Sequence, residues 1–319
     1  MDYFYLIVGL ALLVGAGDAL VRGAVALSLR FGIPAFIVSA TVVAFGTSAP
    51  ELLVSVNAIL DGAPGLALGN VVGSNTANVL LVLGVPALLA TMHTSHCDSR
   101  DSYVQMLAAT ALFVVLCWFG PFTWISGLIL LTALAAMLWH AGRASMKHRA
   151  DAKAAAAAAV DEEEVEGADP DLAGWKIALF LVLGVIGLPL GAELLVDGAR
   201  NIARDFGVTD TVIGLTIVAI GTSLPELATT VMAALRKQAD VAIGNVIGSN
   251  MFNLLGIMGV ASLVGQIPVD PAFFRFDLWV MVGASLALMP LVFWGRDLTR
   301  VWGVTLSALY VVYIVMALS

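Results

Sequence analysis

Two twelve-residue stretches, TVVAFGTSAPEL at 41–52 and TIVAIGTSLPEL at 216–227, agree at nine positions. Each sets a glycine, two hydroxyls, a proline and a glutamate inside apolar sequence. In a helical reading Thr47 and Ser48 lie four and three residues before Glu51, so hydroxyls and carboxylate share one side, and Thr222, Ser223 and Glu226 repeat the arrangement. Pro50 has no N–H and clashes with the carbonyl four residues back, at Gly46, and Pro225 does the same to Gly221. The expected consequence is a kink that frees carbonyls near Ala44, Thr47, Ala219 and Thr222. Oxygen ligands without imidazole or thiolate suit calcium or alkali cations rather than zinc or copper.

A second motif, GNVVGSNTAN at 69–78, recurs as GNVIGSNMFN at 244–253. Asn70, Ser74 and Asn78 fall every fourth residue on one face, as do Asn245, Ser249 and Asn253. Ser74, Asn78, Ser249 and Asn253 are read as ion ligands or their close support. Asn70, Asn75, Asn245 and Asn250 are read as polar glue between helices. Gly69 with Gly73, and Gly244 with Gly248, form small-residue faces that admit another helix backbone.

These motifs sit in a chain built for a bilayer. Of its 319 residues, 60% are hydrophobic and 12% charged, and mean hydropathy is +0.98. Ten stretches reach the roughly 20 residues that a spanning helix requires. They centre on 4–29, 34–60, 66–91, 103–119, 122–141, 174–199, 208–235, 241–264, 276–294 and 300–318. The fold expected is an all-α polytopic membrane protein. No secretory signal is evident in MDYFYLIVGLALLVG, which lacks a basic start. Cys97 and Cys117 imply no disulfide framework.

The repeat runs beyond the motifs: at an offset of 175, residues 17–85 match 192–260 at 29 of 69 positions. Five spans per half is an odd number, so the halves insert with opposite orientation, an inverted-topology repeat. The halves are expected at 1–145 and 174–319, joined by a linker over 146–173. That linker carries DEEEVEGADPD at 161–171, which supplies much of the net charge of −8. Its charges lack the spacing of a calcium loop. Twelve of the 15 basic residues fall on the linker side, leaving Arg200, Arg204 and Arg275 opposite. The positive-inside rule therefore puts the linker in the cytoplasm and both termini outside.

Together, the paired GTS-x-PE and GN-x-x-GSN-x-x-N segments resemble the α-repeats of the cation/calcium exchanger superfamily, particularly its sodium/calcium exchangers. The resemblance implies an antiporter of the inner (plasma) membrane, exchanging about three Na⁺ for one Ca²⁺ by alternating access, a ratio that leaves one net charge moved per cycle. It implies that Glu51 and Glu226 are shared calcium and sodium ligands, and that Thr47 and Thr222 offer carbonyls to calcium. Ala44, Ser48, Ser74, Ala219, Ser223 and Ser249 would build flanking sodium sites, with Asn78 and Asn253 lining the middle. Some relatives carry aspartate at the place of Asn253; its absence here argues against potassium dependence. Lipid and the two ions are the partners implied, with no cofactor and no nucleic acid, and protein partners left open.

Other readings compete. A proton-coupled exchanger of the same fold is the nearest alternative, and a channel fits the inverted duplication poorly. An intramembrane hydrolase using Ser48 or Ser223 lacks a histidine or lysine base in either knot, so no enzyme is expected. Asp18, Glu193 and Asp197 have arginines within a few residues and are read as charge-paired. HTSHCDSRD at 93–101 offers two histidines and a cysteine without a fourth ligand set, which makes a poor zinc site.

Overall fold

The computed structural model describes residues 1–156, 172–207 and 219–318. The acidic run at 161–171 and the start of the seventh expected span, 208–218, lie outside these. Helices are named in chain order: α1 Asp2–Phe31, α2 Ala35–Thr47, α3 Ala49–Leu60, α4 Pro64–Leu89, α5 Arg100–Trp118, α6 Trp124–Ala156 and α7 Gly174–Asp205. The series continues with α8 Leu224–Leu235, α9 Ala239–Val264, α10 Asp277–Phe293 and α11 Arg300–Leu318. The chain is a multi-pass helical membrane protein. Seven of these helices are long and apolar enough to cross a bilayer, and α2 with α3 makes an eighth, bent span. The two remaining expected spans are represented by the shorter apolar helices α8 and α10. Helix α6 runs through Ala156, so the first eleven residues of the expected linker continue a helix.

α4 and α9, which carry the asparagine motif, are the most enclosed helices. Glycine explains how they become so. A Cβ on Gly244 would stand 2.6 Å from the Phe36 carbonyl oxygen, and one on Gly248 would run into the Ala40 backbone. Helix α9 thus lies directly on α2. The residues that the repeat would set against Gly69 and Gly73 are 211–215, outside the described residues.

Around this centre, α1 and α7 pack antiparallel along their whole length. A Cβ on Gly9 would meet the Leu195 nitrogen at 2.7 Å, and one on Gly191 the Leu13 nitrogen at 2.9 Å. Close backbone contact of this kind substitutes for the hydrophobic drive that lipid does not supply between helices.

The repeat also shows in the loops. Among the described residues the only β-bridges join Met92 to Leu298 and Phe122 to Ile267. Each links a loop of one half to a loop of the other, and Met92 and Ile267 are repeat partners.

Candidate cation site

Proline bends the polar knot as its chemistry requires. α2 and α3 meet at 42°, with the break at Ser48 and Pro50 in the first turn of α3. The helical ladder crosses the break through Ser48 N–H to the Ala44 carbonyl (3.0 Å) and Leu52 N–H to the Ser48 carbonyl (3.2 Å). This corrects one expectation. The Ala44 carbonyl is not freed, because it accepts the Ser48 amide and also the Thr47 hydroxyl at 3.3 Å. The disturbed carbonyls are those of Gly46, which faces proline, and Thr47, which receives no amide from Glu51 among the described bonds. In the second half Ser223 N–H reaches the Ile220 carbonyl at 3.1 Å, tightening the same turn before Pro225. Ala219 lies in the helical turn described over Ala219–Gly221.

Both acids are enclosed: Glu51 is 1% exposed and Glu226 fully buried. They lie within electrostatic reach of each other. Ser48 of the first half donates its hydroxyl to Glu226 of the second at 3.0 Å, and the Thr47 and Ser249 hydroxyls also approach that carboxylate. Thr47 further donates to the Asn245 amide oxygen at 3.3 Å and stands 3.5 Å from the Ser249 hydroxyl. Ser74 and Ser223 are buried as well. Thr222 is only half-buried and lines a cavity with Pro50, Glu193 and Gly221. The structure therefore brings both acids together with the Thr47, Ser48 and Ser249 hydroxyls, drawn from both halves, and sets the two Thr positions in unlike surroundings.

Seven buried side-chain polar atoms have no hydrogen-bond partner among the described residues, and six belong to the two motifs. They are one oxygen each of Glu51 and Glu226, the amide oxygens of Asn75 and Asn78, and both amide atoms of Asn253; the seventh is the Ser307 hydroxyl. An unpartnered buried oxygen is costly, and a cation is the partner that this donor-poor set calls for. Among the described residues no three His, Cys, Asp or Glu side chains gather as a metal-binding cluster, so the cage combines two carboxylates with neutral oxygens.

Sequence reasoning missed two features. The first is π-helical turns at Asn78–Val82 and Phe252–Ile257, which re-aim Asn78 and Asn253 at matching places of the repeat. The second is what Asn70 and Asn245 hold when they act as the expected glue between helices, which is the backbone of each glutamate and the hydroxyl one turn after it. Asn70 donates to the Glu51 carbonyl at 3.1 Å and to Ser55 at 2.9 Å; Asn245 donates to the Glu226 carbonyl at 3.5 Å and to Thr230 at 3.3 Å. A hydroxyl four residues after each glutamate was the signal available. Asn75 and Asn78 cross between halves to the Asn250 carbonyl and amide oxygen at 3.3 and 3.1 Å, the glue expected of Asn75 and Asn250.

The loop at 93–101 is otherwise engaged. His93 contacts Asp297 at 2.9 Å, and burial together with the nearby Asp240 carboxylate pushes the Cys97 thiol up, away from the thiolate that binds zinc. Both described cysteines are free. Asp197 pairs with Arg200 at 3.3 Å and Asp18 with Arg22 at 2.9 Å, as expected, whereas Glu193, also expected to be paired, is exposed and forms no ion pair among the described residues.

Known proteins share this arrangement. A family model described as "Sodium/calcium exchanger protein" matches residues 1–142 and 176–319. The sodium/calcium exchanger MaX1 of Methanosarcina acetivorans is 33% identical, over 99% of this chain and 98% of its own. The inner membrane protein YrbG of Escherichia coli is 35% identical over 98% and 95%. Among solved structures, the sodium-calcium exchanger NCX_Mj superposes with a TM-score of 0.81 at 31% identity, covering 99% of this chain and 98% of that one. With nearly its whole length matched by the family and its fold shared, the chain belongs to the sodium/calcium exchanger family.

Proposed function

We propose that this protein is a potassium-independent sodium/calcium antiporter that exchanges about three Na⁺ for each Ca²⁺ and moves one net charge per cycle. The observation that carries this reading is the set of unpartnered buried oxygens from Glu51, Asn78, Glu226 and Asn253, two residues from each half. Glu51 and Glu226 serve both ions, and the Thr47 and Thr222 carbonyls complete calcium coordination. Ser48, Ser74, Ser223 and Ser249, with the Ala219 carbonyl, flank the acids as sodium sites. Ala44 joins them when the Thr47 hydroxyl turns away from its carbonyl. Asn78 and Asn253 line the middle position.

Ten spans in two inverted halves, 1–145 and 174–319, would alternate access around this cage, with 146–173 cytoplasmic and both termini outside. Purified protein in proteoliposomes should accumulate calcium-45 when an outward sodium gradient is imposed, and should ignore a potassium gradient. Uptake that follows a pH gradient and not sodium would replace this reading with a proton-coupled one. That alternative has support from a Ca²⁺/H⁺ antiporter, ChaA of Bacillus subtilis, which is 25% identical over 83% of this chain.

A further inference from the structure

The offset of 175 relates Gly17 to Ala192, Asp18 to Glu193, Arg22 to Asp197, Leu53 to Ala228 and Asp61 to Arg236. Partners that share a place in the repeat have unlike surroundings. Where α8 ends, Asp18 holds both the Arg22 guanidinium, at 2.9 Å, and the Arg236 guanidinium. The Asp18 and Arg236 side chains are three-quarters shielded from solvent. Beside them, α1 rests on α8: a Cβ on Gly17 would stand 3.2 Å from the carbonyl carbon and oxygen of Ala228.

At the opposite end of the bundle the same contact is open. Leu53 and Ala192, counterparts of Ala228 and Gly17, line a cavity of ≈ 400 Å³ together with Glu193, Gly221 and Thr222 of the second knot. Glu193 and Asp61 are exposed and form no ion pair among the described residues. Asp197 is taken by Arg200 at 3.3 Å.

We propose that Asp18, Arg22 and Arg236 form a latch that closes the cage at one end, and that the opposite end has no equivalent among the described residues, so the resting protein favours the conformation open beside Glu193. In an inverted repeat, switching access exchanges the conformations of the two halves. That exchange would carry Glu193 toward Asp61, as Asp18 now meets Arg236. A carboxylate would then approach a carboxylate, with Asp197 where the closed end has Arg22. Ala192 also places a methyl group where Gly17 has none. Charge and shape both oppose closing that end.

The inference rests on the alternating-access reading but is tested without ion flux, so the two fail separately. Single cysteines at Ala228 or Leu53, in a Cys97→Ser/Cys117→Ser background, would be reacted with a small charged maleimide in nanodiscs. In the parent, Leu53→Cys should react quickly and Ala228→Cys slowly. Arg236→Gln should speed Ala228→Cys about tenfold, the factor that ~1.4 kcal/mol supplies. It should also slow Leu53→Cys, and the reversed pair Asp18→Arg/Arg236→Asp should restore both rates. Asp61→Arg, which offers Glu193 a partner, should slow Leu53→Cys. An unchanged Ala228→Cys rate in folded Arg236→Gln overturns the latch. Should Arg236→Gln not fold, an unchanged Leu53→Cys rate in Asp61→Arg overturns it instead.

Discussion

The Ser48 hydroxyl of the first repeat stands 3.0 Å from the Glu226 carboxylate of the second, so Glu226 is built into a site that its own half does not complete alone. The Glu226 carboxylate has one oxygen committed to Ser48 and one that is unpartnered among the described residues. The unpartnered oxygen is the one available to a cation.

Replacing either acid should therefore remove transport while sparing the fold. Glu51→Gln and Glu226→Gln keep size and hydrogen-bonding capacity, yet each removes a charge that calcium requires. Calcium-45 exchange should fall to background in both, whereas Asp197→Asn, outside the cage, should retain most of it. Thermal unfolding gives a second readout. Calcium at about 100 times its Kd should stabilise the parent by ~2.7 kcal/mol, and that stabilisation should vanish in the glutamine variants. Parent-like exchange by either variant would remove that residue from the site.

The close approach of α9 to α2 should be equally sensitive to one methyl group. Gly248→Ala puts a Cβ into the Ala40 backbone, which cannot yield as a side-chain tip does. Overpacking of this sort costs about 1–3 kcal/mol. Gly15→Ala on α1 meets nothing within 4 Å among the described residues and should be neutral or slightly stabilising. Comparing the unfolding temperatures of the two variants in detergent checks this. Equal temperatures would mean that α2 moves aside freely.

What could be read in advance follows from what each residue must do alone. Glu51 and Glu226 announce themselves because a carboxylate in apolar sequence needs a reason, and Pro50 bends its helix wherever it sits. The fate of the Ala44 carbonyl was not legible, because the ladder resumes through Ser48 N–H once the chain turns. Nor were the π turns at Asn78 and Asn253, which no residue pattern in the two motifs announces. Ser55 and Thr230 look like ordinary helical hydroxyls until Asn70 and Asn245 are seen to reach them. The bond from Asp18 to Arg236 spans 218 residues, and in sequence Asp18 has a sufficient partner in Arg22.

Asn253 offers a test of what faces the ions. Both of its amide atoms are buried without a partner among the described residues, so a change there is felt by whatever fills the cage. Asn253→Asp adds a third acid and with it a further place where a proton can stand in for a cation. Exchange by the variant should fall more steeply than the parent's between about pH 8 and pH 6, since protons become effective competitors as they become abundant. Flux–pH profiles recorded at several calcium concentrations decide the matter. Superimposable profiles would turn Asn253 away from the ions.

The proposed ratio of three Na⁺ to one Ca²⁺ can be tested through the charge of the cage. Two ionised glutamates carry −2, which one calcium neutralises, whereas three sodium ions would leave +1. At that ratio a cycle would carry one net positive charge against each calcium moved. A tenfold sodium gradient supplies about 1.4 kcal/mol per ion, so three supply roughly 4.2. A potential of about 100 mV adds ~2.3 for the net charge. The sum, about 6.5 kcal/mol, sustains a calcium ratio between roughly 10⁴ and 10⁵. Two-for-one exchange would leave the cage neutral under both loads and draw nothing from voltage. Proteoliposomes clamped with potassium and valinomycin allow the calcium reversal point to be measured at several sodium ratios. The reversal should move with voltage and scale with the cube of the sodium ratio. A voltage-independent reversal that follows the square would set the stoichiometry at two and leave the Glu51–Glu226 cage electroneutral in both states.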